Sequence, residues 1–241
     1  MKPIAIFRHF VTEGPGYFAM YLDRNRVPWK LIKLDQGEAV PVDTDSFSGL
    51  AFMGGPMSVN DDLPWIPPAL ALIREAVARD VPVLGHCLGG QLMAKALDGS
   101  VTTAPVKEIG WGQVKAEDAA ESAVWFGREH RQFLCFHWHG EMFSIPPAAT
   151  RVLSSSWCAN QAFTLGKHLG MQCHIEMTEE LVRSWCEGGA GEIAHSRSPA
   201  VQPVDVILTD LKPRLDALHR VADRVYARWL EGLTDYSSPG N

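Results

Sequence analysis

The stretch Val81-Pro-Val-Leu-Gly-His-Cys-Leu-Gly-Gly-Gln91 decides the fold of this chain of 241 residues. It predicts a short apolar strand, a tight glycine turn with Cys87 at its apex, and then the first turns of a helix. In that arrangement the thiol lies at a helix N-terminus, where the helix dipole and the free N–H groups favour the thiolate and can also hold an oxyanion. The stretch therefore predicts a nucleophile elbow that carries sulfur in place of a serine hydroxyl.

Apolar runs of strand length alternate with helical patterns on both sides of this stretch, as far as Ser100. We predict strands at 3–7, 29–34, 50–53 and 81–84, and helices at 17–26, 66–79 and 88–97. Strands separated by helices are typical of βαβ units, which build a mostly parallel sheet with right-handed crossovers.

Beyond Ser100 the pattern changes to short strand-like pieces joined by turns. The pieces at 106–115, 133–137, 151–155 and 168–173 predict antiparallel additions to the same sheet, the segment 188–203 predicts a loop, and helices are predicted at 178–187 and 204–230. We therefore predict a three-layer α/β fold, with a central, mostly parallel sheet and helices on both faces. No repeat or composition shift indicates a second domain, so we expect one domain over residues 1–235 and a flexible tail at 236–241.

Composition and charge exclude several function classes. The net charge is −6 without a basic run, so we expect no nucleic-acid partner, and no apolar segment reaches 18 residues, so we expect no membrane span. The five cysteines are odd in number and contain no C-x-x-C pair, which argues against a disulfide framework or a zinc ribbon. A reducing cytoplasm is the expected location.

A nucleophilic cysteine needs a base, and the base needs an orienting group. His174 lies in Gly170-Met-Gln-Cys-His-Ile-Glu-Met177, and Glu176, two residues later, faces the same side of an extended chain. The carboxylate can then hold one ring N–H and stabilise the imidazolium. The spacing favours Cys87 as nucleophile, His174 as base and Glu176 as orienting group, although spacing alone leaves open an unrelated cysteine and histidine.

Four segments, in this order along nearly the whole chain, resemble the motifs of the class I glutamine amidotransferases. Met53-Gly-Gly-Pro56 resembles their glycine turn, and Gly85-His-Cys-Leu-Gly-Gly-Gln91 resembles their cysteine elbow. His137-Trp-His-Gly-Glu141 resembles their S-H-G-D segment, and Gly170-Met-Gln-Cys-His-Ile-Glu176 resembles G-V-Q-F-H-P-E. Within that superfamily the elbow and the H-W-H-G-E segment look much like those of free-standing, single-domain γ-glutamyl peptidases.

The resemblance implies a flavodoxin-like fold and hydrolysis of a γ-glutamyl amide through a thioester, without metal or organic cofactor. It assigns the triad to Cys87, His174 and Glu176, the oxyanion hole to the N–H groups of Gly55 and Leu88, and the grip on the glutamyl group to Gln91 and the main chain around Trp138 and His139. Ile175 stands where the family has a proline, and that proline performs no chemistry. Glu141 stands where the family has an aspartate, and we expect this replacement to change the substrates that fit.

Four further side chains have competing interpretations. His137 and His139 have the spacing of a metal edge, but no third ligand is evident, so we predict no metal site. Glu108 lies in a predicted hairpin turn, either on the surface or at the border of the pocket. His86 precedes the nucleophile, and we expect it to point away and to be structural.

Three hypotheses of function remain open. The chain is a free-standing hydrolase of glutamine or γ-glutamyl peptides, a glutaminase subunit that delivers ammonia to a separate synthase, or a non-catalytic regulatory module. It contains neither a G-x-x-x-x-G-K-[ST] loop nor an S-G-G-V-D-S loop, so we do not expect it to make the aminated product itself. The intact set of Cys87, His174 and Glu176 argues against the non-catalytic hypothesis.

Overall fold

A ten-stranded sheet runs through residues 1–233, which are the residues that the computed structural model describes. The predicted tail at 236–241 lies outside them. In chain order the strands are β1 (Ile4–Arg8), β2 (Trp29–Lys33), β3 (Gly49–Phe52), β4 (Val83–His86), β5 (Val101–Ala116), β6 (Gln132–Phe143), β7 (Thr150–Ser155), β8 (Ala162–Leu165), β9 (His168–Met171) and β10 (Ala200–Val201). The helices are α1 (Gly16–Arg24), α2 (Ile66–Ala78), α3 (Leu88–Ala96), α4 (Ala120–Phe126), α5 (Glu179–Gly188), α6 (Ala190–His195), α7 (Val204–Leu208) and α8 (Leu211–Leu230), with a 3-10 turn at Leu34–Gln36.

The sheet has a parallel half and an antiparallel half. Parallel pairing joins β2, β1, β3, β4 and β9 in that spatial order. Antiparallel pairing then continues through β8, β7, β5 and β6, and the short β10 pairs parallel with β5. The predicted α/β architecture with antiparallel additions is confirmed. Strands β1 to β4 and the later β9 supply the parallel half, whose carboxyl ends are where such folds place their sites. The segment 168–173 was predicted as an antiparallel addition, but its strand β9 pairs parallel with β4 and antiparallel only with β8.

Side chains of successive residues in β1 enter two different cores. Ile4 and Ile6 belong to the apolar cluster that α1, α5 and α8 cover, whereas Ala5 and Phe7 belong to the cluster that α2 and α3 cover. All four are fully buried, as expected for a strand with helices on both faces. The prediction of helices on both faces is therefore confirmed.

Helix α3 lies unusually close to the strands beneath it. A Cβ at Gly89 would collide with the carbonyl oxygen of Phe52 in β3, and one at Gly90 would collide with the carbonyl oxygen of Met171 in β9. Two successive glycines thus let the backbone of the helix rest on the carboxyl ends of both strands. This contact fixes the position of the residue that precedes the helix, Cys87.

Two sequence predictions about the last part of the chain are wrong. The segment 188–203 is not a loop, because it forms α6 and the short strand β10. The helix predicted at 204–230 is two helices, α7 and α8, since Thr209 is extended and Asp210 takes a left-handed conformation with φ 51°. Within residues 1–233 no helix has the length and apolarity needed to cross a membrane.

Candidate active site

Cys87 occupies a strained turn between β4 and α3. Its φ of 51° and ψ of −106° are unusual for a residue with a side chain. The turn is held by its own backbone: the Cys87 N–H donates to the carbonyl of Met171 (2.8 Å), and the Gln91 N–H donates to the carbonyl of Cys87 (3.0 Å). Such strain persists where the surroundings fix it, and here it presents the thiol at the start of the helix.

His174 and Glu176 follow β9 in a bent segment, in which His174 forms an isolated bridge to Phe136, and their side chains meet. The His174 N–H donates to the carbonyl of Phe136 in β6 (2.9 Å), which fixes the backbone there. The ring Nδ1 lies 2.6 Å from Oε1 of Glu176, and both side chains are almost fully buried. The contact between the carboxylate of Glu176 and the ring of His174, which the two-residue spacing predicted, is therefore present.

Charges around the imidazole set its proton affinity. Burial alone would lower the pKa of His174, but the Glu176 carboxylate and the Cys87 thiol beside it raise that pKa well above its usual value. Burial alone would raise the pKa of Glu176, yet His86 and His174 hold it at about 2. Glu176 is therefore anionic at neutral pH and stabilises positive charge on His174.

His86 does not point away from the site as expected. Its Nε2 lies 3.6 Å from Oε2 of Glu176 and 3.3 Å from the hydroxyl of Tyr226 in α8. Burial lowers the pKa of His86, so the ring is neutral at neutral pH. His86 thus lies behind Glu176, at a distance longer than a hydrogen bond, where β4, α8 and the segment after β9 meet, and no local pattern reveals this approach.

The other predicted site residues lie around the thiol. Gly55 lies against Leu88, because a Cβ at Gly55 would be 2.8 Å from Cδ2 of Leu88. Gln91 donates to Oε1 of Gln172 (3.2 Å), and Gln172 in turn donates to Sγ of Cys87 (3.5 Å). Gln172 lies in the motif 170–176, but the sequence predicted no role for it.

A cleft of about 890 Å³ opens at this point. The predicted residues among its walls are Gly55, Cys87, Gln91, Trp138, His139 and His174. Leu88 and Glu176 are not among them, since Leu88 is a buried helix residue and Glu176 lies behind the imidazole. The carbonyl oxygen of Trp138 lies 3.8 Å from Sγ of Cys87, so the main chain of β6 borders the thiol.

Helix α6, in the segment predicted to be a loop, closes one side of the cleft. Glu192 accepts from Lys107 Nζ (2.5 Å) and from Nε1 of Trp138 (3.0 Å). Pairing lowers the pKa of Glu192 against the opposing effect of its partial burial. This contact ties the indole of Trp138 to α6 and fixes the wall of the cleft.

A second carboxyl, Glu13, lies in the cleft beside His174. It is carried by the loop between β1 and α1, where sequence reasoning predicted no site residue. Burial, opposed by the charge of His174 and assisted by that of Glu176, raises the pKa of Glu13 to about 7. Glu13 is brought to the site by the order of strands in the sheet, because the carboxyl ends of β1 and β3 are adjacent.

The prediction that no third ligand accompanies His137 and His139 is wrong. Glu108 lies beside them, and one ligand atom from each of the three lies within 4.8 Å of the others. Glu108 is in β5 rather than in a hairpin turn, and it is buried. Its carboxylate accepts from Oγ of Ser155 (3.0 Å) and Nε2 of Gln161 (2.8 Å), and one of its oxygens lies 3.2 Å from Nε2 of His139. As it stands, the cluster is a buried polar network that fixes β6 behind the cleft.

A strand–turn–helix elbow with a buried histidine and carboxylate beside it defines the class of α/β proteins built around a nucleophile elbow. The model of the "Glutamine amidotransferase class-I" family matches residues 18–183. The chain belongs to the class I glutamine amidotransferase family.

Individual relatives agree with this assignment. The chain is 29% identical over 199 residues to the glutamine amidotransferase-like protein YfeJ of Salmonella typhimurium, which covers 78% of this chain and 83% of that protein. A glutamine amidotransferase from Methylobacillus flagellatus has a solved structure with a TM-score of 0.95 and 44% identity, over 100% of this chain and 99% of that one. A glutamine-hydrolysing GMP synthase of Vibrio vulnificus is 34% identical over 132 residues, which span 54% of this chain but only 24% of the synthase.

Proposed function

We propose that this protein hydrolyses a γ-glutamyl amide, either glutamine or a γ-glutamyl peptide, through a γ-glutamyl thioester on Cys87. The observation that carries the proposal is the buried relay at the elbow. Nδ1 of His174 lies 2.6 Å from Oε1 of Glu176, and the thiol of Cys87 raises the pKa of the same imidazole. A nucleophile, a base and an orienting carboxylate in this order are the requirements of acyl transfer.

In the first half of the reaction, His174 already holds the proton of the Cys87 thiol as an imidazolium, because its pKa is raised, and the Cys87 thiolate attacks the side-chain carbonyl carbon. The N–H groups of Gly55 and Leu88 receive the oxyanion of the tetrahedral intermediate. The carbon–nitrogen bond then breaks, and His174 gives its proton to the departing amine. Glu176 stabilises the imidazolium throughout.

In the second half, neutral His174 takes a proton from water as the water attacks the thioester carbonyl. The carbon–sulfur bond breaks, the proton returns to Cys87, and glutamate leaves. Gln91 and the main chain at Trp138 and His139 hold the amino and carboxylate ends of the glutamyl group. The sequence of steps needs no metal or organic cofactor.

Release of glutamate by the purified protein tests this proposal. We expect release from glutamine or from a γ-glutamyl peptide, and a loss of at least about a thousandfold in Cys87→Ala, because the nucleophile is removed. Cys186→Ala is the matched control, since it removes a buried thiol of α5 that does not border the cleft. Equal release by wild type and Cys87→Ala would reject the proposal.

A second hypothesis is a glutaminase subunit that delivers ammonia to a separate synthase. Two observations favour it. One is the match to part of a GMP synthase. The other is a pair of apolar side chains in the loop after β1, Phe10 and Val11, which are 41% and 61% exposed. Phe10 borders the cleft, so a docked partner would cover its mouth. This hypothesis predicts that the purified chain releases no glutamate from any of the substrates until a partner is added.

A further inference from the structure

The carboxyl of Glu13 is a group in the cleft for which the proposed reaction has no use. The loop that carries it is fixed in place. The Glu13 N–H donates to the carbonyl of Phe10 (3.0 Å), and Nε1 of Trp185 donates to the carbonyl of Thr12 (2.8 Å). The carboxyl is therefore presented to the cleft by an ordered turn, which is what a binding group requires.

The carboxyl of Glu13 and the imidazole of His174 approach the same point, beside Gly54. Oε2 of Glu13 lies 2.5 Å, and Cε1 of His174 lies 3.2 Å, from the position that a Cβ would occupy at Gly54. Cε1 joins Nδ1, which Glu176 holds, to Nε2, which is left for Cys87 and the substrate. A chain attached to the departing amine therefore passes close to Glu13.

The other carboxylates that border the cleft are already hydrogen-bonded. Asp61 accepts from the N–H of Ser58 (2.9 Å), and Glu141 accepts from the hydroxyl of the same Ser58 (3.0 Å). Glu192 is paired with Lys107, the one lysine or arginine among the described residues that border the cleft. The fixed charges of the cleft are therefore mostly negative, and its ammonium group is neutralised.

Glu13 differs from these carboxylates because none of residues 1–233 donates a hydrogen bond to it. Glu13 is partly buried and its oxygens remain accessible from the cleft, so its carboxylate is free to pair with a cation supplied by a ligand. Phe10, in the same loop and also at the cleft, offers an apolar surface to the alkyl chain that would carry such a cation.

We propose that Glu13 selects γ-glutamyl amides whose departing amine carries a second, positively charged group, and disfavours those whose departing amine carries a carboxylate. Among the substrates proposed above, this places γ-glutamyl dipeptides, which release an amino acid, below glutamine. The inference rests on the proposed function. The bonds made and broken stay the same: the amide carbon–nitrogen bond breaks, the amine leaves with the proton of His174, and its second ammonium pairs with Glu13 until release. A carboxylate at that place would instead meet Glu13 across a partly dehydrated gap.

Three γ-glutamyl amides of equal chain length test the inference: the 3-aminopropyl amide (cationic), the propyl amide (neutral) and the 2-carboxyethyl amide (anionic). The value of kcat/KM is measured at about pH 8, because burial raises the pKa of Glu13 to about 7 and the carboxyl must be ionised. We expect the wild type to prefer the cationic over the anionic amide by about tenfold or more. Glu13→Gln should bring that ratio close to one.

Two further variants separate a specific contact from a general effect of charge. Glu13→Asp keeps the charge and should keep the sign of the preference. Asp62→Asn removes an exposed charge near the cleft that does not border it, and should leave the ratio as in the wild type. If all three amides are cleaved and Glu13→Gln has the wild-type ratio, or if the anionic amide is preferred, the inference is overturned while the proposed function stands. If neither these amides nor glutamine are cleaved, the proposed function itself fails.

Discussion

At the scale of single residues, the cost of the elbow is concentrated in Cys87. A side chain at φ 51° and ψ −106° is strained, and the strain disappears if the residue is glycine. Placing the thiol at the start of α3 therefore lowers the free energy of unfolding of the protein.

We therefore predict that Cys87→Gly is more stable than Cys87→Ala by about 1 kcal/mol, since both variants lack the thiol but only alanine keeps the strain. Chemical denaturation of the two variants measures the difference in the free energy of unfolding. A Cys87→Ala variant as stable as Cys87→Gly would show that the backbone at this position relaxes without cost.

Which site residues the sequence could predict depends on how they are brought together. Cys87, His174 and Glu176 were predictable because a turn motif and a two-residue spacing place them, and these are local properties of the chain. Glu13 and His86 could not be placed in this way. Each meets the site through pairing between strands or through packing of α8, and neither event leaves a pattern in the residues around it.

At the scale of elements, the closest approach in the fold is that of α3 to β3 and β9. A Cβ at Gly89 would meet the backbone of Phe52, which has no side-chain freedom to move aside. Overpacking of this kind raises the energy of the folded state by more than the roughly 1 kcal/mol that alanine gains by restricting the unfolded chain.

We predict that Gly89→Ala lowers the free energy of unfolding by about 3 kcal/mol or prevents folding. Gly191→Ala, in α6, is the matched control, because a Cβ there meets open space and alanine favours the helix by up to about 1 kcal/mol. Thermal and denaturant unfolding of both variants measure the effect. Gly89→Ala with wild-type stability would mean that α3 can move away from the sheet.

The spacing of apolar residues predicted the longer helices and strands. It did not predict where one helix is divided from the next, because no local pattern marks that position. The apolar pattern of 204–230 runs through Thr209 and Asp210 without interruption, so it could not reveal that the left-handed Asp210 divides the helix. Residues 188–203 are rich in glycine, serine and proline, yet α6 forms because Glu192 and Ile193 are held by contacts with β5, β6 and the core. Tertiary contacts decided both cases.

At the scale of the whole molecule, buried histidines determine how the fold responds to acid. Burial lowers the pKa of His9, His137 and His168 to about 4 each. Below about pH 6.5 the unfolded chain binds protons at these residues and the folded chain does not, so stability falls as the pH falls from about 6.5 to about 4. Glu13, with its pKa raised to about 7, opposes one of the three between about pH 7 and pH 4.5.

We predict a fall in the free energy of unfolding of about 2 kcal/mol per pH unit between about pH 6 and pH 5. His168→Asn should make this dependence shallower by about 1 kcal/mol per pH unit, since the asparagine oxygen can still accept the Val83 N–H that His168 Nδ1 accepts now. Urea denaturation at a series of pH values measures the slope. A variant with an unchanged slope would show that His168 is protonated in the folded protein.

If Cys87 carries the glutamyl group during turnover, every substrate passes through the same thioester. The most direct measurement is the ratio of γ-glutamyl hydroxamate to glutamate formed from glutamine and from a second γ-glutamyl amide in the presence of hydroxylamine. The same ratio for both substrates, and no product of either kind from Cys87→Ala, is the predicted result. A ratio that depends on the departing amine, or products that persist without Cys87, would contradict a thioester on this residue.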